Sequence, residues 1–491
     1  MIAGRYHQAV AHFRGRLTGL GLDWSNQPSA FKSYEGLESV PLPRQAHLPE
    51  LSLWETVSRQ GGGKDLGVEA LSTVLFHAAG LTRSASHKGG QFFYRACPSA
   101  GALYPCETYL AWPGQESSGP GLKSGLYHYD VARHALTRLR SGFPQPEDLG
   151  LPERSALPGE ALFFVTAIFF RSAWKYRARA YRYLNLDAGH VVEGLALGLC
   201  AHDASYRIEL DFDDDSVADF LGVDPSREGC LAVIRFGAGK GDVSPDIPGP
   251  LPDNTASRSR CALLDDCPPE LSAVHAACSA LPAGQTGLES REQSRLCAGL
   301  LWRDLPPLPG PPQRLSLFAA MAARRSRRNF IPGAAHMGAL TRMLTSLRGP
   351  LYPPVAHPAE DACAIAVLTG VDMQPQPGLA MFDRMGLRLG LRRDGDMRSA
   401  MAAVCLDQLW MRGAAMHVLF MTDFAEIEPN LGNRGYRASL QAAGRLGHRL
   451  WLAAESLGLG ACGVGAFFDV EAAELLGLPE NVGLTYVMTL G

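Results

Sequence analysis

YRYLNLDAGHVVEGLALGL (residues 181–199) and YRASLQAAGRLGHRLWLAA (residues 436–454) are related by a shift of 255 positions along the chain. The shift aligns the Tyr-Arg and Ala-Gly pairs of the two stretches, and it continues without a gap to align Asp214 with Asp469. Both copies then reach an apolar stretch, CLAVIRFG at 230–237 and GLTYVMTLG at 483–491. Matches over this length at a single shift indicate an internal duplication. We therefore predict a fused dimer, in which two similar halves pack against each other.

The rest of the chain divides around these copies. A weaker echo joins VEALSTVL (68–75) to MGALTRML (337–344), and both have an apolar pattern of helical period. Glycine and proline are dense between residues 237 and 312, which is typical of a linker. The predicted organisation is an N-terminal domain over 1–237, a linker with one helix over 238–313, and a C-terminal domain over 314–491.

Hydrophobic periodicity predicts an α+β fold, a sheet covered by helices, in each half. The predicted helices cover 51–60, 68–80, 186–199, 315–324, 337–347, 437–458 and 470–476. The predicted strands cover 107–112, 161–170, 230–237, 364–370, 415–422 and 483–490.

Composition excludes several classes of protein. The 491 residues are 46% hydrophobic and 19% charged, and the formal net charge of −3 offers no field for nucleic acid. The longest apolar run, 161–170, is too short to cross a bilayer, so we expect no membrane association. The 11 cysteines have irregular spacing without a C-x-x-C pair, which favours neither disulfides nor a metal site. We expect a soluble cytoplasmic protein without a metal site.

The segment that we call the arginine cluster, residues 324–328, follows the apolar stretch LSLFAAMAA. Arg324, Arg325, Ser326 and Arg328 offer planar guanidiniums and a hydroxyl at the end of a helix. Guanidiniums pair two oxygens of a phosphate at once, so the pattern indicates an anion site. A solvated basic turn is the alternative.

Two segments of small residues would let a ligand approach the backbone closely. The glycine turn, residues 458–466, includes Gly460, Cys462 and Gly463. The Pro-Ser loop, residues 98–105, begins with Pro98, Ser99, Ala100 and Gly101 and leads into a predicted strand. A helix-ending turn and an ordinary loop are the respective alternatives.

Lys175 and Tyr176 form a further candidate pair. Partial burial would destabilise the ammonium of a lysine, so that Lys175 could accept a proton that the phenol of Tyr176 relays. The alternative is a surface lysine whose stem covers apolar groups.

Together these motifs resemble the nitroreductase superfamily of flavin enzymes. The elements that carry the resemblance are PSAGALYP, the Lys-Tyr pair followed by YRYLNLDAGH, RRSRRNF, and GLGACGVGAFFD before the last strand. The opening Tyr6-His7, LDWSNQP (22–28) and FKSY (31–34) further resemble the SagB/ThcOx-type dehydrogenases, which include azoline oxidases of modified peptides.

The resemblance implies a nitroreductase-like fold with FMN at the interface of the two domains, which form an intramolecular pseudo-dimer. Arg324, Arg325, Ser326 and Arg328 would hold the phosphate end, and Gly460, Cys462 and Gly463 would lie near the flavin ring. Pro98, Ser99, Ala100 and Gly101 would come from the other half. Lys175 and Tyr176 would be the catalytic pair.

A fused dimer would have a second, reciprocal site, in which the two halves exchange roles. That site lacks most of these residues. The first half has SRQGGGK (58–64) in place of the arginine cluster and DASYRI (203–208) in place of the glycine turn. The second half has GPLYPP (349–354) without the Pro-Ser lead, and Asn430-Leu431 in place of Lys175-Tyr176. We therefore expect one FMN per chain.

The leading functional hypothesis is an FMN-dependent dehydrogenase or oxidase that removes a hydride and a proton from an azoline-like or amino-acid-derived substrate. The substrate would be a small molecule or part of a peptide, and the sequence leaves open whether the pseudo-dimer assembles further. Two alternatives are an NAD(P)H-dependent nitro or quinone reductase and a flavin-free scaffold without catalysis.

Overall fold

The computed structural model describes most of the chain. The described residues are 2–16, 21–44, 48–59, 61–64, 66–87, 90–114, 122–155, 157, 159–237, 247–281, 295–306, 315–333, 335–351, 362–370 and 377–491. The helices are α1 Ile2–Ala9, α2 Leu53–Val57, α3 Val68–Ala79, α4 Phe169–Tyr176, α5 Ala180–Ala201, α6 Asp214–Leu221, α7 Pro269–Ser279, α8 Leu317–Ala323, α9 Met337–Thr345, α10 Arg398–Val404, α11 Phe424–Leu431, α12 Arg434–Ser456 and α13 Asp469–Leu476.

The strands number sixteen in the described residues. They are β1 Ser39–Pro41, β2 Leu81–His87, β3 Gly90–Arg95, β4 Cys106–Trp112, β5 Gly125–Asp130, β6 Ala135–Ser141, β7 Glu160–Ile168, β8 Tyr206–Glu209, β9 Glu228–Gly237, β10 Trp302–Asp304, β11 Ala364–Thr369, β12 Gly378–Asp383, β13 Arg388–Asp394, β14 Met416–Asp423, β15 Ala461–Val464 and β16 Val482–Leu490.

Each half is built on a seven-stranded antiparallel sheet. The strand order is β1-β6-β5-β4-β7-β9-β8 in the first sheet and β10-β13-β12-β11-β14-β16-β15 in the second. The two orders are the same when the strands are counted within each half. The first half adds a separate β2-β3 hairpin. The predicted α+β class with two tandem domains is confirmed.

The shift of 255 positions that was visible in the sequence extends further in the structure. It takes α4 onto α11 and α6 onto α13 residue for residue, and it takes α5 onto α12 to within one residue. Helices α4 and α11 were not predicted, because their short apolar patterns merge with the strands before them. The predicted helix over 186–199 is longer than expected, since α5 begins at Ala180.

The pseudo-two-fold axis passes between α5 and α12. A Cβ on Gly189 would overlap the carbonyl oxygen of Gln441, and a Cβ on Gly444 would overlap that of Leu186. The two glycines occupy equivalent positions at the shift of 255, and their Cα atoms face each other. Such a self-complementary crossing is what a two-fold interface requires. The Ala-Gly pair in each copy is therefore explained by close helix packing.

Reciprocal ion pairs tie the two halves together. Asp469 at the start of α13 accepts hydrogen bonds from Arg182 (2.7 Å) and Arg179 (2.8 Å) of the first half. Asp214 at the start of α6 accepts from Arg437 (2.6 Å) and Arg434 (2.7 Å) of the second half. Burial raises and the arginines lower the pKa of each aspartate, and the net result is a lowered pKa for both. The matches that revealed the duplication are thus interface residues.

The segment between the halves also contributes to the packing. Within the range 238–313, predicted as a linker, α7 places His275 against the rings of Phe169 and Tyr181. Cys278 of the same helix donates to the carbonyl oxygen of Asn433. The strand β10 pairs with β13 and forms the edge of the second sheet. No helix of the described residues is long and apolar enough to span a membrane.

Candidate functional site

A cleft that we call the first cleft opens between the two halves beside the α5–α12 pair. The space not filled by protein atoms, including the part open to solvent, is about 760 Å³. The first half contributes Pro98, Ser99, Ala100, Gly101, Tyr176, Asp187 and His190, and the second half contributes Ser326, Arg328, Trp451, Cys462, Gly463 and Tyr486. Residues that are distant in the sequence, from both halves, thus line one cleft.

The Pro-Ser loop is held by a carboxylate on α5. Ser99 Oγ donates to Asp187 Oδ2 at 2.5 Å, and the backbone N–H of Ala100 donates to Oδ1 at 3.1 Å. Ser99 Oγ in turn accepts from the N–H of Tyr104 at 2.9 Å. Asp187 was not among the predicted site residues, although it sits in the repeated helix where the second half has Ala442. That difference between the copies was the available signal.

Lys175 and Tyr176 end helix α4 and point to the same place. A Cβ on Gly101 would lie 2.8 Å from Tyr176 Oη and 3.2 Å from Lys175 Nζ. Gly101 has φ +64°, so the loop needs glycine there both for its backbone and for this space. Tyr176 is half-buried and lines the first cleft, whereas Lys175 is exposed and lies outside its lining. Burial raises the pKa of Tyr176, which keeps its phenol protonated.

The arginine cluster is divided between two places. Ser326 and Arg328 line the first cleft. Arg324 is buried; its Nε donates to the carbonyl oxygen of Ala96 (2.6 Å), and its guanidinium lies over the ring of Trp451. Arg325 donates to the carbonyl oxygens of its own helix end and lies outside the cleft lining. Arg324 therefore anchors the chain just before the Pro-Ser loop.

The glycine turn is divided in the same way. Cys462 and Gly463, on β15, line the first cleft. A Cβ on Gly463 would overlap the phenol oxygen of Tyr486, so only glycine fits between that ring and the cleft. Gly460 lies outside the lining, where its N–H donates to the carbonyl oxygen of Gly491 at 2.7 Å.

Burial dominates the electrostatics of the cleft. It raises the pKa of Asp187 to about 7, although the hydrogen bonds from Ser99 and Ala100 oppose the shift. It lowers the pKa of His190 well below the usual value, so that the imidazole is neutral. His190 Nε2 lies 3.0 Å from Tyr486 Oη. Within the described residues, His190 Nδ1 and Arg324 Nη1 are buried without a hydrogen-bond partner.

The reciprocal position differs in each of these respects. Asp203 accepts a hydrogen bond from the N–H of Gly62 at 2.9 Å, and the N–H of Lys64 donates to its carbonyl oxygen at 3.0 Å. The first-half counterpart of the arginine cluster is thus packed onto the counterpart of the glycine turn. Asn430 and Leu431 end helix α11 where Lys175 and Tyr176 end α4.

Comparison with known proteins agrees with this architecture. The profile of the nitroreductase family matches residues 68–238 and 366–491, one segment in each half and together more than half of the chain. The chain therefore belongs to the nitroreductase family of oxidoreductases, in a tandem two-domain form. It is similar over its whole length to a putative nitroreductase from Anabaena variabilis, whose crystal structure superposes with a TM-score of 0.74 at 25% sequence identity and is itself 99% covered.

Two curated relatives carry names that describe peptide processing. The trifolitoxin-processing protein TfxB of Rhizobium leguminosarum bv. trifolii is 27% identical over 177 residues, 35% of this chain and 47% of that protein. The microcin B17-processing protein McbC of Escherichia coli is 28% identical over 147 residues, 29% of this chain and 54% of that protein. The chain spans about half the length of these relatives. They agree with the resemblance to SagB-type proteins seen in the sequence.

Proposed function

We propose that this protein is an FMN-dependent dehydrogenase or oxidase that removes a hydride and a proton from an azoline-like or amino-acid-derived substrate. One observation carries the proposal. The tips of Lys175 and Tyr176 converge at Gly101, and Gly101 and Tyr176 line the same cleft as Ser326, Arg328 and Gly463. A pair suited to proton transfer thus lies beside residues suited to a flat, phosphorylated ligand.

The residues present fit FMN. Ser326 and Arg328 are exposed at the cleft and free to hold a phosphate, which a guanidinium binds through two oxygens. Cys462 and Gly463 line the cleft beside them, and the ring of Tyr486 fills the place of the Cβ that Gly463 lacks. His190 lines the cleft, and its buried Nδ1 has no hydrogen-bond partner among the described residues.

The bound flavin would supply the hydride acceptor, which no side chain can provide. The chain itself would handle the proton. The raised pKa of Tyr176 keeps its phenol protonated. The phenol would relay a proton from the substrate carbon to Nζ of Lys175, which lies 5.4 Å from the centre of the Tyr176 ring. Lys175 is exposed while the cleft is open, so a substrate that covers the cleft would exclude water from the lysine.

The relatives support a substrate carried on a peptide. TfxB and McbC are named for processing trifolitoxin and microcin B17. The open mouth of the first cleft, with Lys175 exposed at its edge, suits a residue that is presented by a longer chain. We propose a peptide-borne azoline as the first substrate to test.

The test combines cofactor stoichiometry with substrate reduction. The purified full chain, incubated with FMN and desalted, is expected to hold one flavin per chain, seen in its visible absorbance. Under anaerobic conditions an azoline-containing peptide should bleach that absorbance. Bleaching by NADPH alone, with none by any azoline, would instead favour a nitro or quinone reductase. Failure to retain flavin at all would favour the scaffold.

A further inference from the structure

A second cleft lies at the position related to the first by the pseudo-two-fold axis. The space not filled by protein atoms, including the part open to solvent, is about 1180 Å³, which is larger than that of the first cleft. The residues used below are Trp54, Arg59, Tyr206, Arg348, Gly349 and Arg449, all of which line it. The loss of the predicted flavin-binding residues has therefore not closed this side of the interface.

The elements around the second cleft correspond to those around the first. Arg59 lies on the loop between α2 and α3, as the arginine cluster lies on the loop between α8 and α9. Gly349 begins the second-half echo of the GALYP sequence in the Pro-Ser loop. Tyr206 begins β8, where Ala461 begins β15. The second cleft is thus a composite site of both halves.

Its walls are changed in a way that disfavours flavin. Arg207 and Ile208 of β8 stand where the first cleft has Cys462 and Gly463, and Tyr206, the residue before them, lines the second cleft. Bulk stands where a flavin ring would need a flat glycine backbone. Any ligand here must differ from FMN in shape.

Arginines from both halves line the second cleft. Arg59 from the first half and Arg348 from the second are both exposed at the cleft. Neither guanidinium forms an ion pair or a hydrogen bond with a residue in the described ranges. Two cations that face one cavity repel each other, and an anion between them would relieve that repulsion.

The nearby carboxylates are already engaged. Glu193 binds Arg445 (2.8 Å) and Arg449 (2.6 Å), so it does not offset Arg59 or Arg348. Glu55 accepts from Ser52 in a capping box at the start of α2; these hydrogen bonds and, more weakly, Arg59 lower its pKa, so Glu55 offsets part of the charge of Arg59, and none of that of Arg348 is seen to be offset within the described residues. Arg449 is also paired, and its other nitrogens donate to the carbonyl oxygens of Arg348 and Pro350. It therefore fixes the loop that carries Arg348.

We propose that the second cleft binds a small organic anion, with its phosphate or carboxylate held between Arg59 and Arg348 and its flat part beside Trp54 and Tyr206. Trp54 is fixed by the hydrogen bond from its Nε1 to the carbonyl oxygen of Arg342, whose guanidinium also lies over the ring, so a flat ligand would pack against the rest of the ring. Because Arg59 and Arg348 belong to different halves, the ligand would bridge the pseudo-dimer. This site does not depend on the proposed flavin chemistry.

The test is calorimetric titration of the FMN-saturated full chain with three probes: phenyl phosphate, benzoate and inorganic phosphate. One binding event per chain is expected with phenyl phosphate or with benzoate, and the probe that binds distinguishes a phosphate ligand from a carboxylate. Arg59→Ala and Arg348→Ala should each weaken binding about tenfold or more, since each removes a charged hydrogen-bond donor. Arg258→Ala, which removes an exposed arginine outside both clefts, should leave it unchanged.

Two outcomes would overturn the proposal. One is the absence of saturable binding by all three probes up to about 10 mM, a weaker interaction than a built site should give. The other is binding that survives both substitutions or that displaces FMN, which would assign the probe to another place. A protein that fails to retain FMN can be titrated in the same way, so failure of the flavin proposal and failure of this one are distinguishable.

Discussion

The first and second clefts occupy equivalent positions in a duplicated fold, yet different residues line them. The interface beneath them is nearly symmetric, with Gly189 against Gly444 and an aspartate bound by two arginines on each side. The linings differ: the first cleft combines Tyr176 with the Pro-Ser loop, Cys462 and Gly463, and the second has Tyr206 and arginines from both halves. Packing residues were retained in both copies while ligand-facing residues diverged. A fused dimer can therefore keep its fold and give each cleft a separate task.

The largest difference should appear in catalysis. Lys175→Ala is expected to lower the rate of anaerobic flavin reduction by substrate roughly 10²- to 10⁴-fold, the usual contribution of a general base. Asn430→Ala, at the equivalent end of α11, should leave the rate unchanged. Stopped-flow absorbance measures both rates, with FMN content as the check that the cofactor is still bound. Equal effects of the two substitutions would contradict a single catalytic cleft.

Substitutions in the reciprocal ion pairs should have equal effects in the two halves, unlike those at Lys175 and Asn430. Asp214→Asn and Asp469→Asn each leave two buried arginines without their carboxylate, and each should lower the free energy of unfolding by about 3–5 kcal/mol. Denaturant unfolding measures this, with the exposed Asp253→Asn as control. Because both folded-state pKa values are lowered, the stabilisation is present above the unfolded pKa and is lost as pH falls through the folded one. Clearly unequal losses of unfolding free energy would show that the two sets of ion pairs contribute unequally although their geometries are similar.

Asp187, a residue of the first cleft, should make the free energy of unfolding depend on pH. Its pKa is raised to about 7, so its contribution to stability is present below the unfolded pKa and is lost as pH rises toward 7. Each unit of difference between the two pKa values corresponds to about 1.4 kcal/mol. Unfolding free energy measured between pH 4 and pH 8 should fall with pH in the native protein, and Asp187→Asn should remove that part of the slope. An unchanged slope would mean that Asp187 titrates normally.

The smallest expected effect concerns the cofactor. Arg328→Ala should weaken FMN binding about tenfold, since one charged contact to the phosphate is lost. Arg59→Ala, in the equivalent loop of the first half, should not change it. Fluorescence titration of flavin measures both affinities. Weakening of equal size in both variants would mean that flavin occupies both clefts.

Sequence patterns predicted the fold closely because the repeat and the apolar strands are local signals. The strands expected over 107–112 and 364–370 are found as Cys106–Trp112 and Ala364–Thr369. The hairpins of each sheet were missed, since several of their strands are partly polar or short. Of the predicted site residues, Ser326, Arg328, Cys462 and Gly463 line the first cleft with the start of the Pro-Ser loop, while Arg324, Arg325 and Gly460 lie outside its lining.

Contiguous residue patterns and one constant shift were enough to predict a duplicated, tandem nitroreductase-like protein whose halves carry unequal sets of candidate site residues. These predictions need no knowledge of which groups meet in space. Three features could be seen only in the folded chain: Asp187 holds the Pro-Ser loop, Arg324 binds backbone carbonyls of the other half, and the second cleft is open with Arg59 and Arg348 at its walls. Each of these depends on contacts between residues far apart in the chain, which the packing of α5 on α12 brings together.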